Sequence, residues 1–249
     1  MSARPTLRVV SFPGLQPYRP LWDMQQRLWR QRYRGEISDT LLLLEHRPVI
    51  TLGRNAVREH LLMGEDWFAE RGVDLVDVDR GGDVTYHGPG QLVAYWIFDL
   101  RAWRQDVHHY LRQIEEVVIR TLGSFGIEAA RSDGATGVWT KDEKIAAIGL
   151  HLSHWVSTHG FALNITTDLE PFRWIVPCGL HGRGVTSMNK RMAAVPDRSA
   201  VENVIVAEAA ELFGRNVESL SVESLEAQNQ TLDKPPSDEG VLRKIGASL

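Results

Sequence analysis

Along the first third of the chain the apolar positions pass from helical spacing into the short unbroken runs of buried strands. Leu21, Met24 and Leu28, flanked by Trp22, Gln25 and Trp29, repeat at helical intervals and predict a helix over about 20–34 that Gly35 stops. TLLLLEH (40–46) and PVITL (48–52) then read as strands around a charged turn, VDLVDVD (73–79) alternates apolar with acidic, and LVAYWIFDL (92–100) is rich in β-branched and aromatic residues. Further helices are predicted at about 105–124 and 199–213, the second opened by Ser199 and Glu202 at capping-box spacing and ended by Gly214. KIAAIGLHL (144–152) and STHGFALNI (157–165) are strands close enough to form a hairpin. Neighbouring strands mixed with long helices predict an α/β (α+β) chain, a mixed sheet with helices packed on it, without internal repeats.

Composition narrows the class. At 249 residues, 43% hydrophobic and 24% charged, the chain has the make-up of an ordinary soluble globular protein. No apolar run approaches the ~20 residues that cross a bilayer, which argues against a membrane protein, and the opening MSARPTLRVVSFPG lacks a signal-peptide core. A single cysteine excludes an internal disulfide framework, so a reducing cytoplasm is the expected location. The net charge of -4 argues against general nucleic-acid binding, but it is unevenly placed. Residues 1–60 carry ten Arg against five acids, whereas 216–249 carry six acids against three bases, with few aromatics and Pro235-Pro236. The expected organisation is one domain over 1–215 and an acidic, flexible tail over 216–249. Arg27, Arg30, Arg32 and Arg34 read either as a solvated helix face or as a dock for an acidic protein.

The densest chemistry is Arg80-Gly81-Gly82-Asp83-Val84-Thr85-Tyr86-His87-Gly88-Pro89-Gly90-Gln91, between two predicted strands. Glycines let backbone N–H groups approach a ligand while Arg80, Tyr86 and His87 frame a pocket; the same glycines also suit a tight connection. Neither standard phosphate-loop spacing occurs in it. Cys178 lies between Pro177 and Gly179, which break regular structure and place a thiol in a turn, although a lone cysteine is also a common small core residue. A nucleophilic thiol needs a neighbour that favours the thiolate, and Lys144, His87, His159 and His181 are candidates. Lys144 opens an apolar strand, where partial burial would lower its pKa and let it take and return the thiol proton; it could equally be an ordinary lysine at a strand start.

RGGDVTYHGPGQ, KIAAIG, HGFALNI and PCGL, in this order across about 40–190, resemble the lipoyl(octanoyl) transferase family. The resemblance implies one catalytic domain similar to those of biotin protein ligases and lipoate–protein ligases. It implies an acyltransferase that needs no cofactor or metal, taking an octanoyl group from octanoyl-acyl carrier protein. The acceptor would be a lysine on a lipoyl domain of a 2-oxoacid dehydrogenase or on the glycine-cleavage H protein. Cys178 would be the thioester-forming nucleophile and Lys144, chosen over Lys141 because Ile-Ala-Ala-Ile-Gly follows it, the proton shuttle. Substrate would be held by Arg80, Gly81, Gly82, Asp83, Val84, Thr85, Tyr86 and His87, then Ala147, Ile148 and Gly149, then Gly160, Phe161 and Ala162. A monomer is expected. Two other readings compete: an ATP-dependent ligase of related fold, and a non-catalytic protein that binds the acyl carrier.

Overall fold

The computed structural model describes residues 3–176 and 183–232. The chain begins with β1 (Thr6–Gln16), α1 (Tyr18–Tyr33), β2 (Asp39–His46) and β3 (Val49–Leu52), followed by α2 (Glu65–Glu70), β4 (Asp74–Asp77), β5 (Val84–His87) and β6 (Gln91–Ile97). It continues through α3 (Val107–Ser124), β7 (Ala130–Ser132), β8 (Ala135–Thr140) and the hairpin β9 (Glu143–Ser153) and β10 (Val156–Asn164). The short α4 (Met188–Arg191), α5 (Arg198–Phe213), β11 (Asn216–Ser219) and α6 (Val222–Leu232) complete it. Eight strands form one mixed sheet in the order β11-β1-β2-β6-β10-β9-β8-β7, and β4-β3-β5 form a second, smaller sheet.

The large sheet is covered on both faces, which is why β2 and β6 are apolar without alternation. Leu41 and Leu43 of β2, with Trp96 of β6 and Phe161 of β10, face α3 and α5. There Tyr110, Ile114 and Val118 meet Val201, Ile205 and Phe213. Phe213 is the hub of that layer, its ring centroid 5.2 Å from Trp96 and 5.0 Å from Phe98. The opposite face puts Leu42, Leu44, Val93 and Tyr95 under Tyr18, Leu21, Met24 and Leu28 of α1. The small sheet has its own core, in which Ile50, Val84 and Tyr86 pack on Phe68 of α2 and on Ile175.

Two expectations are corrected. Residues 216–232, read as the start of a flexible tail, form β11 and α6. β11 is exposed throughout and therefore shows no apolar pattern; its backbone pairs in parallel with β1, while Leu225 of α6 is buried beneath α1 and β1. The helix at 198–213 is not opened by a Ser199–Glu202 capping box, since its N-cap is Asp197 and Glu202 instead accepts from Ser11 Oγ (2.8 Å) and Arg198 Nε (2.7 Å). Gly214 does end it, at φ +61°.

Arg32, one of the arginines considered for docking, is held in an internal ion cluster. Buried Asp39 accepts from Arg32 Nε at 2.8 Å, Arg215 Nε at 3.0 Å and the Asp99 N–H at 3.0 Å. Removing the carboxylate leaves two guanidinium groups beside an apolar core without their shared counter-charge. Asp39→Ala is expected to lower the unfolding free energy by about 3–5 kcal/mol, measured by urea titration at pH 7.

Candidate active site

A cavity of about 410 Å³ lies where the small sheet meets the large one. Its floor is the β9–β10 hairpin, whose register sets Gly149 opposite Gly160 and Ala147 opposite Ala162. Such small residues facing each other across paired strands leave a trough where larger side chains would fill the space. The roof is the Arg80–Gly82 loop, pinned by a hydrogen bond from the Gly81 N–H to the Leu150 carbonyl (2.8 Å). The approach is close enough to favour glycine at 149, where a Cβ would come within 3.0 Å of Arg80 Cδ; at Gly160 a Cβ would instead meet the Ala94 carbonyl oxygen of the adjacent strand at 2.0 Å.

A continuous hydrogen-bond chain links the roof to the strand carrying Lys144. Arg80 Nη2 donates to the Thr51 carbonyl (2.7 Å), and its Nε and Nη2 both donate to Thr51 Oγ1. The Thr51 hydroxyl is then left to donate towards His87 Nε2 (3.4 Å), while His87 Nδ1 donates to Gln91 Oε1 (2.7 Å). Gln91 Nε2 donates to Asn164 Oδ1 (2.9 Å), Asn164 Nδ2 to the Thr186 carbonyl (2.9 Å), and the Thr186 N–H to the Lys144 carbonyl (2.9 Å). This pattern requires a neutral His87. Burial, reinforced by the nearby His46 and Arg80, pushes its pKa down to about 3 despite the bond to Gln91. Burial likewise pushes His46 down to about 4; its Nδ1 donates to the Gln16 carbonyl, so its Nε2 accepts from Tyr95 Oη at 2.6 Å.

Lys144 stands at one end of the trough. Its N–H donates to the Gly184 carbonyl (2.9 Å), and its Nζ lies 4.9 Å from the centre of the Trp139 ring, over which Arg183 also sits at 3.8 Å. Lys141, the alternative three positions earlier, is an exposed turn residue at φ +54°, away from the cavity. Cys178 and His181 lie outside the described residues. The chain runs towards them from Val176, whose N–H donates to the His60 carbonyl (2.8 Å), and returns from them at Arg183 and Gly184, beside Lys144.

At the other end is His159, one of the candidate partners of the thiol, which borders the cavity. It pairs with Leu150, six residues from Lys144, so the two lie roughly 20 Å apart along the strands. Its Nε2 donates to Asp79 Oδ1 (2.8 Å), which also receives the Trp22 indole N–H (3.0 Å). Burial alone would raise the Asp79 pKa, but the His159 bond, the two neighbouring histidines and Trp22 hold it below the usual carboxylate range. Burial lowers the pKa of His159 against the pull of Asp79.

Of the expected substrate-holding residues, Arg80 to Thr85, His87, Ala147, Ile148, Gly149, Gly160, Phe161 and Ala162 border this cavity. Tyr86 does not. Strand alternation turns its ring into the small-sheet core against Phe172, 5.7 Å between centroids, and Trp174. Sequence reasoning missed Tyr18, Gln91, Val93, Tyr95 and Asn164, which also line it. Gln91 closes the glycine-rich motif and Asn164 belongs to HGFALNI, so both carried a local signal; Tyr18, Val93 and Tyr95 looked like core.

Residues 17–210 match the family model for the lipoyl protein ligase A/B catalytic domain. The chain belongs to this family. Relatives include an octanoyltransferase of Solibacter usitatus, 52% identical over 187 residues that cover 75% of this chain and 83% of that protein. Another is an octanoyltransferase of Rubrobacter xylanophilus, 47% identical over 214 residues, 85% of this chain and 96% of that one. The family fold is also seen in a lipoate-protein ligase A bound with ATP, with a TM-score of 0.71 at 17% identity, covering 95% of this chain and 97% of that one. A bipartite lipoate protein ligase from Thermoplasma acidophilum, studied with its E2 lipoyl domain, gives a TM-score of 0.69 at 17% identity over 96% and 95% of the two chains. Among the described residues no helix is long and apolar enough to cross a membrane.

Two outcomes follow from this geometry. Because His46 and His87 stay neutral when folded but take up protons near pH 6.5 when unfolded, their contribution to stability is complete above that pH. It falls as pH drops towards 4, by about 1.4 kcal/mol per pH unit for each histidine. Urea unfolding between pH 7 and 4.5 should show this slope, and His46→Asn should remove about half of it. Gly149→Val, which drives a branched side chain into Arg80 and the Gly81 carbonyl, should cut transfer activity at least tenfold, read as kcat/KM against the unsubstituted protein.

Proposed function

We propose that this chain is an octanoyltransferase of protein lipoylation that works through a Cys178 thioester, with Lys144 handling the protons. The observation that carries the reading is that Lys144, from the KIAAIG motif, stands at one end of a slot bordered by residues of the RGGDVTYHGPGQ and HGFALNI motifs. Relatives about half identical over most of the chain bear the name octanoyltransferase.

The Cys178 thiolate attacks the carbonyl of octanoyl-acyl carrier protein. The carrier's carbon–sulfur bond breaks as the new one forms, and the carrier thiolate takes the proton that Lys144 received from Cys178. One thioester replaces another at nearly equal free energy, so this step proceeds without ATP. The amine of an acceptor lysine then attacks the acyl-enzyme and gives up its proton, which returns through Lys144 to the departing Cys178 sulfur; the amide formed is the more stable bond. Acceptors are lipoyl domains of 2-oxoacid dehydrogenases and the glycine-cleavage H protein. The study of the Thermoplasma ligase together with an E2 lipoyl domain is consistent with acceptors of that kind. A second groove, of about 760 Å³, shares Phe172 and Val185 with the slot and is lined by Arg173, Arg183 and Lys190 together with Glu143, Asp168 and Glu170. It offers the carrier arm and the acceptor loop a route to the Lys144 end. The protein acts as a cytoplasmic monomer, where a free thiol persists.

Intact mass measured after mixing with octanoyl-carrier protein, without ATP, should show one added octanoyl group that a lipoyl domain discharges. Cys178→Ser should show none, and Lys144→Ala should load at least a hundredfold more slowly. Acceptor acylation that requires ATP and survives Cys178→Ser would replace this reading with the ligase one.

A further inference from the structure

We infer that His159, fixed by Asp79, is the end wall of the acyl slot and sets the length of chain the enzyme accepts; this rests on the octanoyl-transfer reading above. The slot is a trough with a direction. Lys144 marks the end where the thioester is handled, and the Ala147–Ala162 and Gly149–Gly160 pairs leave its floor free of long side chains. Past Gly149 and Gly160 the next cross-strand pair is Leu150 and His159.

The wall is held in a way a core histidine does not require. His159 has φ +59°, a left-handed backbone that a non-glycine residue adopts only when its surroundings impose it. Its N–H leaves the strand ladder and donates to Gln25 Oε1 of α1 (2.8 Å), while its ring is tied to Asp79, itself anchored by Trp22. The strain therefore fixes an imidazole on the border of the slot at the point where its small-residue floor ends. Behind the ring lie an ionised carboxylate, Asp79, and His151, groups against which an apolar tail gains nothing by advancing.

The test loads enzyme from an equimolar mixture of octanoyl-, decanoyl- and dodecanoyl-carrier protein and reads the acyl-enzymes by intact mass. His159→Gly removes the ring and relieves the left-handed backbone; the ratio of dodecanoyl- to octanoyl-enzyme should rise at least tenfold over that of the unsubstituted protein. Asp79→Ala leaves the strand unchanged and frees the ring, so the ratio should rise by a smaller factor, and this variant still decides the matter if His159→Gly does not fold. An unchanged ratio, with all three chains loaded less well, would reduce His159 to a structural residue and overturn the inference. The same series of free carboxylates, titrated calorimetrically into each protein, reads slot length without covalent chemistry. If the unsubstituted enzyme formed no adduct, the acyl-enzyme reading would fall, while tighter dodecanoate binding by the variants would still support the wall and unchanged chain-length dependence would refute it.

Discussion

The Arg80–Gly81 loop joins the two sheets of this protein. The Arg80 guanidinium is buried and donates to the Thr51 carbonyl and hydroxyl of the small sheet, while the N–H of the next residue, Gly81, bonds to the Leu150 carbonyl of the large one. A buried cation is tolerated only when its donors are used, so this position admits one arrangement of the loop and holds it rigidly. With the loop in place, the β9–β10 trough has a roof and becomes a slot. The glycine at 149 is a consequence, because the aliphatic part of Arg80 occupies the space its side chain would need.

The slot's walls are mainly apolar, and most of the polar groups among them are uncharged. His46 and His87 are kept neutral by burial, and each has its ring nitrogens committed to defined partners, so neither is available as a mobile base. The network from Arg80 through His87, Gln91, Asn164 and Thr186 ends on the backbone of the strand that presents Lys144, and it thereby couples the roof to the lysine's position. Lys144 lies near the start of β9 and the His159–Asp79 pair beside its far end, so the proposed proton chemistry and chain recognition would be separated along the strand.

The same fold occurs in a lipoate-protein ligase with bound ATP and in relatives named octanoyltransferase. A slot for an acyl chain beside a lysine serves either chemistry, so the architecture alone does not choose between adenylate and thioester activation. The cysteine of the Pro177-Cys178-Gly179 segment is what bears on the choice, and it is a property of the sequence.

The sequence by itself determined where the long elements lie. The helical spacing of α1 and the unbroken apolar runs of β2 and β6 are local signals, and each element buries the residues its pattern marked. Local sequence also determined the motif residues that border the slot, because close backbone approach demands glycine at particular positions. Tertiary structure alone decided what no single segment encodes. β11 has no buried face and exists only through its backbone bonds to β1, so its sequence carries no strand pattern. Tyr86, inside the motif, turns away because β5 alternates, while Tyr18, Val93 and Tyr95, which look like ordinary core, face the slot because α1 and β6 border it. His159 was one of four candidate partners of the Cys178 thiol until strand register placed it at the opposite end of the trough from Lys144. Register, unlike propensity, is a relation between distant segments, which is why it could be read only from the folded chain.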